Sequence, residues 1–293
     1  MNLVRLNPAL TNDELRAKLF EGEFVLLSPT KAFQALVAHA RGMVNEAFPN
    51  QDPCLAQRHI PVEEFIQRAA PLKSRFTNDS KTKELIRDIL KESGSDLNTT
   101  YFDVPRLRVV SSDGYLVSGV GYAYKAHRDT WYSSPRAQLN WWLPVFDLIP
   151  SQTMSMYPGY WNNPIGNSSA DFDYDEWIRV GRTNATKQGS VDTRKHPLPV
   201  EKVDSATEMR FVLKAAETLL FSASHLHATA PNSSGQTRFS IDFRTISLDD
   251  LKSGAGAPDP DNASQGTTLR DFIRASDFQP LPEDAVAMGA RRT

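Results

Sequence analysis

Of the 293 residues only one, Cys54, is a cysteine. That excludes an internal disulfide and a zinc site built on clustered thiolates, so any metal must be held by histidines and carboxylates. Long apolar runs are missing too: no stretch reaches the roughly 18 to 20 residues that a membrane-crossing helix needs. The opening "MNLVRLNPALTNDELRAKLF" lacks the apolar centre of a secretory signal. These absences lead to the expectation of a reducing, cytoplasmic setting with no membrane partner. An excess of one charge is also lacking, since 33 basic residues face 35 acidic ones. The overall field therefore recruits neither a nucleic-acid polymer nor a membrane surface. No internal repeat is visible. What is present, 40% hydrophobic and 23% charged residues, supplies ample apolar material for a buried core.

The first third, residues 1–98, has the texture of helices. "TNDELRAKLF" begins with Thr11, a good N-cap residue, and "PTKAFQALVAHARGMVNEAF" spaces its apolar side chains at helical intervals. "PVEEFIQRAA" and "DSKTKELIRDILKES" continue the pattern, the latter with Leu85, Ile86, Ile89 and Leu90 on one stripe, while "GEFVLLS" is a short strand candidate. From about residue 99 to 247 the texture changes to short β-rich runs: "TTYFDVPRLRVVSS", "YLVSGVGYAYKAH", "AQLNWWLPVFDL", "TMSMYPGYW", "EMRFVLKAAETLLFSAS" and "TRFSIDFRTIS". Many short strands at such intervals predict an antiparallel sandwich or barrel, so the fold class is mainly β with a helical layer, in a single domain over 1–293. An insertion at about 159–205, rich in Asn, Ser, Gly, Asp and Arg, interrupts that core with the character of a lid. The extension 248–293 opens with the linker-like "SGAGAPDPDNASQG" and predicts a terminal helix in "TTLRDFIRAS".

Chemistry concentrates in two places. On a strand, residues i and i+2 share a face, so His127-x-Asp129 converges on one point. The following "AQLNWWLPV" puts Gln138, Asn140 and Trp142 on one face, assigned to the site, and Trp141 on the other, assigned to the core. A lone His-x-Asp is weak, because such pairs arise by chance. About 100 residues on, "LLFSASHLHATAPNSSGQTRFSIDFR" supplies His225 and His227. Arg238 then opens a strict alternation in which Arg238, Ser240, Asp242 and Arg244 share one face and Phe239, Ile241 and Phe243 the other. Such a charged face either meets solvent or lines the mouth of a barrel-like jelly roll, where an arginine fork grips a carboxylate at two points. In "VPRLRVV", Arg106 and Arg108 alternate with apolar neighbours in the same way. Two histidines and a carboxylate on one face are the usual cage of a non-haem iron(II) site with open positions.

His127-x-Asp129, "QLNWWLPVFDLIPSQTMSMYPGYW" and "HATAPNSSGQTRFS" together resemble the iron(II)- and 2-oxoglutarate-dependent dioxygenases, particularly the phytanoyl-CoA-hydroxylase-like branch. The likeness covers roughly residues 100 to 246, and "LTNDELRAKLFEGEFVLL" is similar to the branch's opening helix and strand. It implies a double-stranded β-helix (jelly-roll) core with N-terminal helices packed on one sheet. It also implies that His127, Asp129 and His227 hold Fe(II) and that Arg238 pairs with the distal carboxylate of 2-oxoglutarate. Thr229, Tyr124, Trp142 and Asn140 would complete the cosubstrate pocket, and Arg106, Arg108 and Arg244 would meet the substrate. His225 falls out of register with the Asn-Ser-Ser-Gly turn and Arg238, and is assigned to packing. The chain departs from the branch at Ala216-Glu217, where a Gly-Asp pair is usual.

The resemblance implies an oxygenase that consumes 2-oxoglutarate and O2, releases succinate and CO2, and hydroxylates an unactivated C–H bond of a small molecule. A natural product, a nucleotide and an acyl compound all fit, in a monomer or homodimer. Related halogenases carry Gly or Ala where this chain has Asp129, so the carboxylate argues for oxygen insertion. Two other readings stand beside it: a cupin-like metal enzyme using the same triad without 2-oxoglutarate, and a non-catalytic β-sandwich binding module. In the insertion, Tyr157, Tyr160, Trp161, Trp177, Arg179, Arg182 and Arg194 combine aromatics with arginines. That mixture suits a ligand with a planar and an anionic part, although most of the seven are expected to be packing or solvated side chains.

Overall fold

The computed structural model describes residues 3–116, 125–184 and 196–290. The chain opens with β1 (Val4–Leu6), α1 (Asn12–Phe20), β2 (Phe24–Leu27), α2 (Lys31–Ala47), α3 (Val62–Asn78) and α4 (Ser80–Glu92). The starts of α1, α2 and α4 follow from their caps. Thr11 and Glu14 form a reciprocal capping box on α1, and the Thr30 and Asp79 side chains accept from backbone N–H groups at the starts of α2 and α4. The predicted third helix ends near Pro71, yet α3 runs seven residues past it, to Asn78. Phe65, Ala69, Leu72 and Phe76 form one buried stripe, and its burial outweighs the backbone bond that the proline removes.

Then follow β3 (Thr100–Phe102), β4 (Arg106–Val110), β5 (Leu139–Pro144), β6 (Met154–Met156), α5 (Tyr174–Asn184), β7 (Met209–Arg210), β8 (Thr218–Ser222), β9 (His227–Thr229) and β10 (Arg238–Ser247). The chain closes with α6 (Leu248–Ser253), β11 (Ile273–Arg274) and α7 (Glu283–Ala290). A large sheet of eight strands runs β1-β2-β8-β5-β10-β3-β11, with β4 also paired to β10; a small sheet runs β7-β6-β9. β1 and β2 pair in parallel and the other ladders are antiparallel.

Alternation along β4, β5 and β10 divides the large sheet. Leu107, Val109, Leu139, Trp141, Leu143, Phe239, Ile241 and Phe243 face the N-terminal helices in one apolar cluster. Trp141 stacks on Phe243 with ring centroids 5.4 Å apart and donates its indole N–H to Thr245 Oγ1 at 2.9 Å, as a buried indole requires. The opposite face carries Arg106, Arg108, Asn140, Trp142, Asp242 and Arg244 into a cavity. The helices lie on one face as the resemblance implies, and of the two surroundings left open for the charged face, the structure gives it the cavity.

Two expectations are corrected. His127 and Asp129 do not share a strand: His127 makes an isolated bridge to His227, and Asp129 begins a short 3-10 helix, Asp129–Tyr132. "TTLRDFIRAS" is not a terminal helix but a 3-10 turn, Thr268–Asp271, followed by β11; the terminal helix is α7. The turn carries the buried Leu269 and Phe272 inward against Tyr101 and Ile246, and β11 closes the edge of β3. The insertion contains structure of its own, with α5 inside it. The expected strand in "YLVSGVGYAYKAH" falls mostly at 117–124, outside the described residues.

At Ala216, where the resemblance predicts glycine, the backbone has φ 67°, the left-handed conformation that glycine adopts most readily. The turn survives the substitution because Glu217 N–H donates to Lys214 O and its carboxylate accepts from Lys214 N–H.

Candidate metal centre

His127 and His227 are tied together by reciprocal backbone bonds, each N–H donating to the other's carbonyl at 2.9 Å. This ladder rung brings two residues 100 apart in sequence to a ring separation of 4.4 Å. Asp129 N–H donates to Ala223 O at 2.9 Å, which turns the chain so that the carboxylate meets both rings. Asp129 Oδ1 lies 3.5 Å from His127 Nε2 and 3.9 Å from His227 Nε2. The three residues are buried, and their donor atoms lie within 4.8 Å of one another.

The remaining polar atoms fix the direction in which these donors point. His127 Nδ1 lies 2.7 Å from Lys125 O and His227 Nδ1 lies 2.9 Å from His225 O. A carbonyl can only accept, so each Nδ1 carries the proton and each Nε2 presents a lone pair to the shared centre. Asp129 Oδ2 accepts from Asn140 Nδ2 at 2.8 Å and from Gln138 Nε2 at 3.1 Å. Arg244 Nε approaches the same oxygen at 3.5 Å. One carboxylate oxygen is thereby engaged by the protein and the other faces the histidines. Such outer contacts orient metal ligands and set their basicity.

Electrostatics agree with this division. Burial alone would raise the Asp129 carboxyl, but Arg244 and the two histidines reverse the effect and hold it well below the usual carboxylate range. Burial, followed by the neighbouring His127, pushes His227 down to about 4, so it is neutral at pH 7. Both are the ligand forms that bind a divalent cation. His225 is not part of the centre: its Nε2 faces Gly22 O at 3.2 Å, and its ring lies between Phe24 and Trp161. It is a packing residue, as its register predicts.

The cavity, about 160 Å³, joins this centre to the charged face of the large sheet. It far exceeds the roughly 10–15 Å³ that one water needs on the same measure. Arg238 reaches it from β10, buried, with its guanidinium carbon 5.6 Å from the Trp142 ring centroid. Arg238 Nη1 donates to the carbonyls of Gln152 and Thr153 at 3.1 and 3.2 Å, while Nε has no partner among the described residues. No carboxylate forms a salt bridge with it among those residues, and burial, with Arg108 nearby, lowers it to about 10. Thr229 also lines the cavity.

The other arginines are paired. Arg108 binds Asp242 through Nε and Nη2 at 2.5 and 3.0 Å, and Arg106 and Arg244 share Asp103 at 2.6 and 3.0 Å. The sequence reading missed Asp103, whose neighbour Val104 and following Pro105 gave no sign of a buried counter-ion. It also missed Tyr132 and His196, which line the cavity, because a four-residue 3-10 turn and an irregular loop leave no periodic signal. Tyr124 and Arg194 lie outside the described residues, as does the side chain of Arg182. Tyr157 and Tyr160 pack around Trp131, and Trp161 packs on His225, so those insertion aromatics belong to the scaffold. Arg179 is exposed on α5.

Arg128, between the two ligands in sequence, points away from the centre. It is completely buried and donates to Asp261 at 3.1 Å, Ser224 O at 2.5 Å, Tyr160 O at 2.7 Å and Asn163 O at 3.1 Å. Asp261 also accepts from the Trp131 indole at 2.7 Å and from Ile165 N–H at 3.0 Å. The C-terminal extension and the insertion are thus fastened to the loop that carries Asp129.

No known family profile matches the chain, and no curated protein matches it. Among solved structures it is similar to EvdO2 from Micromonospora carbonacea var. aurantiaca complexed with 2-oxoglutarate, at 13% identity and TM-score 0.47 over 82% of this chain and 93% of that one. It is also similar to a non-haem monooxygenase, ThoJ, at 13% identity and TM-score 0.42 over 90% and 89%. A third is the epimerase SnoN in complex with Fe3+, alpha-ketoglutarate and nogalamycin RO, at 12% identity and TM-score 0.42 over 81% and 85%.

Proposed function

We propose that this chain is an iron(II)- and 2-oxoglutarate-dependent oxygenase of a small molecule, folded as one double-stranded β-helix domain of the phytanoyl-CoA-hydroxylase-like type. The donor set fits the metal: two imidazole nitrogens and one carboxylate oxygen on one side of a cavity match the facial triad of oxygen-using non-haem iron. The observation that carries the cosubstrate is Arg238. A buried guanidinium without a carboxylate partner, opening on the same cavity as the triad, is costly unless an anion completes it.

His127, His227 and Asp129 Oδ1 would hold the iron, with Gln138 and Asn140 keeping Oδ2 turned away from it. Arg238 would grip the distal carboxylate of 2-oxoglutarate, with Trp142 beneath the guanidinium and Thr229 beside it. Iron, 2-oxoglutarate and O2 together supply the oxidation of a substrate C–H bond, with release of succinate and CO2. Phe221 and Trp142 would give the cosubstrate end apolar walls. Asp129 leaves no vacancy for a halide ligand, which favours hydroxylation over halogen transfer.

The test is succinate formation: it should require iron(II), 2-oxoglutarate and a substrate together. No turnover across a broad substrate panel, combined with no 2-oxoglutarate binding, would sink the proposal.

A further inference from the structure

The cavity extends beyond the metal and Arg238, and its remaining wall has a distinct chemistry. An edge-to-face contact of 5.2 Å joins the His127 ring to Tyr132, and a second, of 5.3 Å, joins Tyr132 to Phe172. Phe172 lies 6.4 Å from Trp177, which is stacked on Tyr174 at 6.1 Å with an interplanar angle of 14°. This file of rings begins at a metal ligand and runs outward into the insertion, and every member lines the cavity. Tyr132 and Trp177 are only partly buried. His196 adds a ring beside Tyr132, whose hydroxyl lies 3.2 Å from its Nδ1. The wall is held in place: Tyr174 O–H donates to Asp271, and Tyr174 N–H to Gln265 O at 3.0 Å.

Charge decides what such a wall receives. Among the described residues, four guanidiniums, those of Arg106, Arg108, Arg238 and Arg244, line the cavity with four carboxylates, those of Asp103, Asp129, Asp242 and Asp271. The lining is therefore balanced. A divalent metal and the dianion 2-oxoglutarate would cancel each other as well, so the described lining leaves no formal charge over to attract an ionic substrate. We propose that the aromatic wall formed by Tyr132, Phe172, Tyr174 and Trp177 binds a planar, uncharged ring of the substrate, presenting its edge to the metal centre. This rests on the proposed occupancy of the centre for its charge balance, and it separates a neutral polycycle or aromatic from the nucleotide and acyl-carboxylate alternatives. Stacking supplies the affinity, and the paired side chains around the wall offer hydrogen bonds to ring hydroxyls or carbonyls.

Titration calorimetry on the full chain loaded with zinc(II), with and without 2-oxoglutarate, tests this with three bicyclic probes: 2-naphthol, 2-naphthoate and decahydro-2-naphthol. The proposal expects 2-naphthol to bind about tenfold more tightly than the anionic or the saturated probe. Trp177→Leu should weaken 2-naphthol by about the same factor, leaving zinc and 2-oxoglutarate affinity unchanged, and Trp177→Phe should restore most of it. Equal or tighter binding of 2-naphthoate, undiminished binding by Trp177→Leu, or no binding of 2-naphthol overturns it. Trp177-dependent binding of 2-naphthol in a protein that fails to take 2-oxoglutarate would keep the ring site and overturn the cosubstrate reading instead.

Discussion

Removing the carboxylate of Asp261 should destabilise the chain far more than its position in a linker-like extension suggests. The Arg128 side chain has no exposed surface and the Asp261 side chain is 4% exposed. Burial lowers Arg128, and Asp261 is the main influence opposing that shift. Asp261→Ala leaves the guanidinium with three backbone carbonyls and only the weaker influence of Asp259 as counter-charge, and it orphans the Trp131 indole and Ile165 N–H. Breaking one side of a buried pair costs about 3–5 kcal/mol. For a chain of this size that lowers Tm by roughly 10 °C. The double variant Arg128→Met with Asp261→Leu should lose much less than the sum of the single changes, because no buried charge is left unpaired. Urea denaturation of the metal-free chain reads both. A loss below about 1 kcal/mol for Asp261→Ala would refute the reasoning, since that is the range of an exposed pair.

Further outcomes follow from the same contacts. Asn140→Leu removes the shorter of the two amide bonds to Asp129 Oδ2 and should weaken divalent-metal affinity by roughly 10–100-fold, read by competition with a metal indicator at unchanged fold. His225 is pushed down to about 3 by burial. Its folded value lies below the unfolded ~6.5, so the folded state binds fewer protons between those limits and stability falls as pH drops through that window. Denaturation midpoints of the metal-free chain between pH 7 and pH 4 should show this acid loss, and His225→Gln should flatten it; equal slopes would refute the assignment. Burial raises Cys54 to about 12, so iodoacetamide at pH 8 should label the native chain far more slowly than the urea-unfolded one.

How much of this was written in the sequence depends on which physical rule set each part. The period-two alternation of β4, β5 and β10 exposed both faces of the large sheet, and with them Arg238, Asn140, Trp142 and the core role of Trp141. Helical periodicity and caps located α1 to α4. Alternation failed at His127-x-Asp129, where the two side chains converge for a different reason: a backbone bridge to His227 and the Asp129–Ala223 bond turn the chain into a 3-10 helix. The conclusion about the pair held while its stated cause did not. The pairing of Arg106 and Arg244 on Asp103, and the anchoring of Arg128 by Asp261, join residues more than 130 apart in the case of Arg128–Asp261 and Arg244–Asp103. Such partners are set by tertiary packing and leave no local pattern. The ring file from Tyr132 to Trp177 was hidden for the same reason, since its members come from a short turn, a loop and a helix.

In the proposed function the triad and Arg238 form one site for a divalent metal and a dicarboxylate. Anaerobic titration calorimetry of 2-oxoglutarate into the iron(II)-loaded chain tests it most directly. Binding should depend on the metal and weaken with Arg238→Ala by about 2–5 kcal/mol, at least roughly thirtyfold, at unchanged metal affinity. Metal binding without any affinity for 2-oxoglutarate, or equal 2-oxoglutarate affinity in Arg238→Ala, would contradict it and leave a cupin-like metal protein as the better description.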